Sequence, residues 1–243
     1  MLQKDILMHP SKKSKLDLRG VLIDFGDTLA YVDKYINRKY MAGLLSILKK
    51  HGYKENIDQL TLNLDDVYYR SSKGEAKDLE EFWTLLLADL AMTKNTELLD
   101  ELVEFWSHNY SKIFKLYEGV TPVLSDLRSK YKLALVSNCS TGLSKVIEAL
   151  GIASFFETII LSYEVGARKP DRRIYLQTLR SIKLPSEKCI FVSDEISDLE
   201  GAKEIGLKTL LVRQGAHTTG DAKNPGFKPN LTCNRISEIT ELI

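Results

Sequence analysis

Hydrophobic positions fall into two kinds of pattern. Val21-Leu22-Ile23, Leu133-Ala134-Leu135-Val136, Thr158-Ile159-Ile160-Leu161 and Cys189-Ile190-Phe191-Val192 are short apolar runs without polar alternation, and a further apolar stretch surrounds Leu210. A strand covered on both faces reads this way, as in a parallel sheet flanked by helices. Between these runs Val123, Leu124 and Leu127, then Leu143 to Leu150 ending at Gly151, then Ile174, Tyr175 and Leu179, are spaced as helix faces. Thr121 and Pro122 predict the N-cap and first residue of the first of these helices. The alternation predicts an α/β fold with a doubly wound, mainly parallel sheet and right-handed connections.

From about Lys34 to Leu116 the period is helical throughout: Met41, Leu44, Leu45 and Leu48, then Phe82, Leu85, Leu86 and Leu90, then Leu98, Leu99, Leu102, Val103 and Trp106. Breaks at Gly52, Gly74 and Thr93-Lys94-Asn95 divide the segment into about four helices inserted between the first two sheet strands. Trp83, Trp106, Tyr68 and Tyr69 are expected between those helices. The chain thus divides into an N-terminal arm (1–17), a sheet domain (18–33 and 117–243) and a helical insertion (34–116). The crossings near Tyr31-Val32-Asp33 and Tyr117-Glu118-Gly119 are expected to act as a hinge, with Arg38, Lys39 and Tyr40 the nearest polar groups after the first. Past Gly215 the residues Gly220, Pro225, Gly226 and Pro229 predict turns before a closing helix at Ile236 to Leu242.

Composition narrows the class. In 243 residues, 44% hydrophobic content is enough for a core, and 34 basic against 33 acidic side chains give no global field for nucleic acid or a membrane surface. Cys139, Cys189 and Cys233 form neither a disulfide framework nor a metal-ligand spacing, which predicts a cytoplasmic protein. No apolar run spans a bilayer, Met1 to Arg19 lacks the apolar centre of a secretory signal, and Lys12, Lys13 and Lys15 read as a solvated arm.

Chemistry-bearing residues stand where the apolar runs end. Val21-Leu22-Ile23 passes into Asp24-Phe25-Gly26-Asp27-Thr28, Val136 into Ser137-Asn138, and Val192 into Ser193-Asp194, with Asp198 four residues on. Gly166-Ala167-Arg168-Lys169-Pro170-Asp171 supplies a lysine before a helix, and Gly201-Ala202 follows the acidic pair. In order and spacing, from about Leu18 to Val212, these residues resemble the haloacid dehalogenase (HAD) superfamily. The resemblance implies a HAD-like Rossmannoid core with an α-helical cap domain at the insertion, closing over the sheet's active site and selecting substrate. It implies Asp24 as nucleophile, Lys169, the Ser137 hydroxyl and backbone N–H groups near Asn138 on the substrate's phosphoryl group, and Mg²⁺ held by Asp24, Asp194, the Gly26 carbonyl and Asp198. Asp198 is a second-layer or direct acidic partner in that set. Taken singly, Lys169 reads as a surface lysine and Ser137-Asn138 as a turn.

One position departs from the resemblance. Phosphatases of the family place an acid/base Asp two residues after the nucleophile, where this chain has Gly26 followed by Asp27. Either Asp27 replaces that acid/base or it only shapes the turn, and Thr28 orders the loop. The expected activity is Mg²⁺-dependent hydrolysis of a small phosphorylated metabolite through an aspartyl-phosphate, with no nucleic-acid or membrane partner. The alternatives are a 2-haloacid dehalogenase, a phosphonate-cleaving hydrolase and a catalytically weakened binding module.

Overall fold

The computed structural model describes residues 17–215 and 226–243. Apart from Asp17 the expected N-terminal arm lies outside the described residues, as do Gly220 and Pro225. In chain order, β1 (Gly20–Ile23) and β2 (Ala30–Val32) precede four helices: α1 (Lys34–Lys50), α2 (Ile57–Ser71), α3 (Leu79–Asp89) and α4 (Thr96–Asn109). A 3₁₀ turn at Tyr110–Ile113 leads to β3 (Phe114–Leu116), α5 (Val120–Lys130), β4 (Lys132–Ser137) and α6 (Leu143–Ala149). There follow β5 (Thr158–Leu161), α7 (Ser162–Val165), α8 (Arg172–Ile182), β6 (Cys189–Ser193), α9 (Ile196–Glu204), β7 (Lys208–Val212), β8 (Leu231–Cys233) and α10 (Ile239–Leu242).

The main sheet has the order β5-β4-β1-β6-β7-β8, and every pair in it is parallel. In β1, Val21 and Ile23 enter the apolar cluster on one face and Leu22 the cluster on the other, which is why its apolar run does not alternate. From β1 the chain winds through β4 to β5, then returns to build β6, β7 and β8 on the opposite side. The winding direction therefore reverses beside β1, and the crevice outside the carboxyl ends of β1, β4 and β6 is where such a sheet binds ligands.

Local signals explain most helix ends. Asp33 accepts hydrogen bonds from the Tyr35 and Ile36 N–H groups at the start of α1, and Asn95 accepts one from Leu98 N–H at the start of α4. Gly52 and Gly74 take φ of 97° and 92° at the expected breaks. Trp83 and Trp106 are buried, with Trp106 stacked on Tyr110 at 4.8 Å between ring centres.

Four expectations need correction. The inserted segment is not helical to its end: β3 pairs antiparallel with β2, matching Val32 to Phe114 and Ala30 to Leu116, so the two crossings form a ribbon. Three-residue strands are too short to carry a period. For the same reason β8, at the sheet edge, was not legible. The helix placed at Thr121 starts at Val120, because Gly119 takes the cap position with φ 84°; Pro122 fits the first turn, whose N–H groups have no helical acceptor. The closing helix is a 3₁₀ turn at Ile236–Glu238 followed by the short α10, and Tyr69 is half exposed rather than buried between helices. Among the described residues no helix is long and apolar enough to cross a membrane.

Candidate active site

Asp24 follows β1 directly, and its backbone N–H continues the ladder to the Val192 carbonyl at 2.9 Å. Its Oδ1 accepts the Phe25 N–H at 2.7 Å and lies 2.6 Å from Lys169 Nζ, while its Oδ2 accepts a long bond of 3.3 Å from Ser193 Oγ. Lys169 also reaches Asp198 Oδ2 at 2.9 Å, and all three side chains are nearly inaccessible to solvent. Burial pushes the lysine's pKa down, but Asp198 and Asp24 outweigh it and hold the pKa raised, so the ammonium keeps its proton. Sequence reading took Lys169 alone for a surface side chain. Only the fold supplies the two carboxylates that make burial of a lysine tolerable.

The lysine is set in place through its backbone. Asn138, just past β4, accepts the Lys169 N–H at 2.7 Å and donates its amide to the Lys169 carbonyl at 3.0 Å, so its side chain binds the lysine loop. Pro170 follows through a cis peptide bond, and Asp171 accepts the Arg173 N–H at the head of α8. A Cβ at Gly201 would lie 2.5 Å from the Pro170 carbonyl oxygen, so a glycine there lets α9 pack against the lysine loop. Lys-Pro-Asp and Gly-Ala are thus two halves of one contact.

Asp194 leaves the end of β6, and its carboxylate is tied to the loop after β1. Thr28 Oγ1 donates to Asp194 Oδ1 at 2.9 Å and accepts the Asp194 N–H at 3.0 Å, which gives Thr28 the ordering role expected of it. Burial, and then the Asp24 charge, push the Asp194 carboxyl up to about 7. Asp198, in the first turn of α9, turns toward Lys169, and Tyr175 Oη donates to the Asp198 carbonyl at 2.7 Å. The buried set therefore counts Asp24, Asp194 and Asp198 against Lys169. Its excess negative charge suits a divalent cation at Asp24 and Asp194. Among the described residues no three carboxylate, His or Cys groups converge as a complete cage, but Mg²⁺ needs only one or two carboxylates and fills its octahedron with water and substrate oxygens.

Asp27 stands in the left-handed region with φ 51°, and Tyr117 Oη donates to its Oδ1 at 3.4 Å. A Cβ placed on Gly26 meets nothing within 4 Å. The position is not closed to a side chain, and a carboxylate there would have room.

Asp24, Gly26, Asp27, Lys169, Asp194 and Asp198 line a cavity of about 680 Å³, with Ser137 at the end of β4 on its wall. The opposite wall comes from the inserted helices: Asp65, Tyr68, Tyr69 and Ser72 of α2 and the turn after it, with Tyr110 and Phe114. Arg168 donates to Ser72 Oγ and lies over the Tyr69 ring at 5.0 Å, bridging the lysine loop to α2. Arg38 and Lys39 do not line the cavity and are exposed, and Tyr40 is buried beyond it. The polar groups nearest in sequence to the crossing are therefore not those nearest the site, because α1 runs away from it and α2 returns. Ser193, Tyr117, Arg168 and Asp65 are residues at or against the site that sequence reasoning did not single out. Ser193, which directly precedes Asp194 at a strand end, was the one a sequence signal could have found.

The chain matches the haloacid dehalogenase-like hydrolase family over residues 21–212. It is 31% identical over 236 residues to a glyceraldehyde 3-phosphate phosphatase of Methanothermobacter thermautotrophicus, covering 93% of this chain and 98% of that one. A protein of the same name from Methanopyrus kandleri is 23% identical over 231 residues, covering 93% and 97%. Among solved structures, a 2-haloacid dehalogenase of Pseudomonas syringae superposes with a TM-score of 0.72 at 19% identity, covering 93% of this chain and 97% of that one.

Proposed function

The chain belongs to the haloacid dehalogenase-like hydrolase family, and from that premise we propose a Mg²⁺-dependent phosphatase of a small phosphorylated metabolite, working in the cytoplasm without nucleic-acid or membrane partners. The observation that carries the reading is the buried group at the sheet's switch point, where Lys169 bridges Asp24 and Asp198 while Asp194 stands beside them with its carboxyl pushed up to about 7. Asp24 attacks phosphorus, the P–O ester bond breaks as the leaving oxygen takes a proton from Asp27 or from water, and water then hydrolyses the aspartyl-phosphate to inorganic phosphate and the restored carboxylate. Lys169 and the Ser137 hydroxyl hold the phosphoryl oxygens as charge builds on them, and Asn138 keeps the lysine aimed through its loop. Asp24, Asp194 and the Gly26 carbonyl would hold Mg²⁺, which would supply positive charge to offset the repulsion between the carboxylate and the phosphate. Asp198 acts through Lys169. The helices of residues 34–116 serve as a cap that excludes water, moving on the crossings that β2 and β3 pair together. Phosphatases among the relatives support the choice of ester.

Gly26 favours a second reading, 2-haloacid dehalogenation, since it brings no acid/base carboxylate at that place. The surplus of buried carboxylates over lysine weighs against it, because ester formation from a haloacid needs no cation. One assay separates the readings: release of phosphate from acetyl phosphate and a panel of phosphate esters, and of chloride from 2-chloropropionate, each with Mg²⁺ and with a chelator. Mg²⁺-dependent phosphate release is expected. Chloride release indifferent to the chelator would replace the phosphatase reading.

A further inference from the structure

The segment after β7 reaches the acidic site from beyond the family match, which ends at Val212. Gln214 ties two elements together with its amide. Its Nε2 donates to the Thr28 carbonyl at 2.7 Å, and its Oε1 accepts the Ile236 N–H at 2.8 Å, at the head of the C-terminal 3₁₀ turn. The Ile236 side chain is fully buried in the apolar core, so that end of the bridge is anchored. At the other end Thr28 donates its hydroxyl to Asp194 Oδ1 and accepts the Asp194 N–H. Ile236, Gln214, Thr28 and Asp194 thus form one hydrogen-bonded chain from the core to a buried carboxylate.

Gly215 bounds the same carboxylate from its other oxygen. A Cβ there would lie 2.6 Å from Asp27 Cβ, 2.8 Å from the Asp27 carbonyl oxygen and 3.1 Å from Asp194 Oδ2. Its φ lies outside the left-handed region, so the close approach and not the backbone calls for glycine. We propose that Gln214 and Gly215 are positioning residues for the cation, holding Asp194 and the Gly26-Asp27-Thr28 turn in the arrangement that receives Mg²⁺ without touching the ion, a role that rests on the phosphatase reading and its cation site. Mg²⁺ accepts little error in the placement of its oxygens, and groups behind the ligands each account for on the order of ten- to a hundredfold in metal affinity. Gln214 fixes Thr28, which takes Oδ1 of Asp194; Gly215 lets the loop after β7 close on Asp27 and on Oδ2.

The test uses the full chain and two lesions of different kind: Gly215→Ala adds the intruding methyl, and Gln214→Leu removes both amide bonds. Titration with Mn²⁺, a paramagnetic ion of the same oxygen preference, followed by electron spin resonance of the free ion, reads the site without turnover. The Kd should rise by about tenfold or more in Gly215→Ala and by about fivefold or more in Gln214→Leu. In acetyl phosphate hydrolysis the Mg²⁺ activation constant should rise in step, while kcat and KM at saturating Mg²⁺ stay within about threefold of the parent. A residue that served folding alone would lower the folded fraction and leave the Kd of the folded molecules where it was, so an unchanged Kd in both variants overturns the proposal. Gln214→Glu keeps an acceptor for Ile236 and loses the donor to Thr28, so its Kd should rise as well even if Gly215→Ala fails to fold; a parental Kd in Gln214→Glu and Gln214→Leu together would also overturn it. A parent that binds no Mn²⁺ and releases no phosphate with Mg²⁺ sinks the phosphatase reading itself, whereas a metal-dependent parent with unaffected variants sinks only the positioning role.

Discussion

The two walls of the cavity are built on different physics. On the sheet side nearly every polar group is cross-linked: Asn138 to the lysine loop in both directions, Thr28 to Asp194 in both directions, Lys169 to two carboxylates. On the helical side the wall is aromatic, with Tyr68, Tyr69, Tyr110 and Phe114 on the cavity and Trp106 stacked on Tyr110 behind them. A network of hydrogen bonds and ion pairs holds groups in one geometry, as charge stabilisation in a transition state requires. Stacked rings tolerate small sliding at little cost, as suits a surface that meets different alcohols. Substitutions on the first wall should therefore strike turnover, and those on the second selection.

The largest effect is expected at Asp24. Asp24→Asn keeps shape but not nucleophilicity, so turnover of any phosphate ester should fall by on the order of 10⁴ or more. Steady-state kinetics on the purified, folded variant checks it, and residual activity within a hundredfold of the parent would remove the assignment. Lys169 comes next. Lys169→Met should lower kcat by on the order of a hundred- to a thousandfold at saturating Mg²⁺, and should also cost about 3 kcal/mol or more of stability, because Asp24 and Asp198 are left buried without their cation. Chemical denaturation alongside kinetics reads both, and a variant as stable as the parent would mean that the pair is not held in the folded protein.

The third expectation is a pH effect in metal-free protein. Burial and Asp24 raise the folded-state pKa of Asp194 to about 7, above its unfolded value, so the folded chain binds more protons than the unfolded one between those values. Stability should fall as pH rises from about 4 to about 7, by at most on the order of 4 to 5 kcal/mol at about 1.4 kcal/mol per pKa unit. Mg²⁺ binds the ionised form and should restore most of the loss near neutral pH. Thermal melts with chelator and with Mg²⁺ test this against Asp194→Asn, which should keep only the shallower slope due to Asp198, whose carboxyl burial also pushes up to about 6; a parent and variant with the same pH dependence would rule it out.

A smaller effect is expected in the loop after Asp24. Asn accepts the left-handed conformation that Asp27 adopts, so Asp27→Asn should stay within about threefold of the parent if Asp27 shapes the turn. A hundredfold loss with one limb of the pH–rate profile flattened would instead make it the acid/base. Gly26→Asp should speed hydrolysis of the aspartyl-phosphate about tenfold or more, since the space at that Cβ is open. The smallest effect belongs behind the aromatic wall: Tyr40→Phe removes an unpaired buried hydroxyl and should leave the ligand-free protein unchanged or more stable by up to about 1 kcal/mol. A loss above that, by denaturation, would show the hydroxyl to be bonded within the free protein.

How legible each region was follows from the range of the forces that build it. The five longer strands, their parallel arrangement and the four inserted helices were readable because burial on two faces and on one stripe leave different periods in the sequence. The acidic and hydroxyl residues at strand ends were readable for a related reason, since an apolar run that stops abruptly marks where the sheet meets solvent. Asn138 was read for the backbone N–H groups near it, and its side-chain hold on the lysine loop was not legible because position alone does not say which way an amide points. The wall of the cavity was sought just after the first crossing, whereas α2 supplies it, because helix-to-helix packing between distant residues has no local signature.

By itself the sequence determined the α/β core, the insertion point and the order of Asp24, Ser137, Lys169 and Asp194 along the chain, since each follows from local propensity and the period of burial. The tertiary structure decided that Lys169 is buried between Asp24 and Asp198 rather than solvated, and that Thr28 clasps Asp194. It decided too that Asp65 and four aromatic rings, Tyr68, Tyr69, Tyr110 and Phe114, face the chemistry from α2, the turn after α4 and the ribbon. Those outcomes depend on electrostatic and packing energies between residues tens to more than a hundred positions apart, and such energies exist only once the sheet has set the distances.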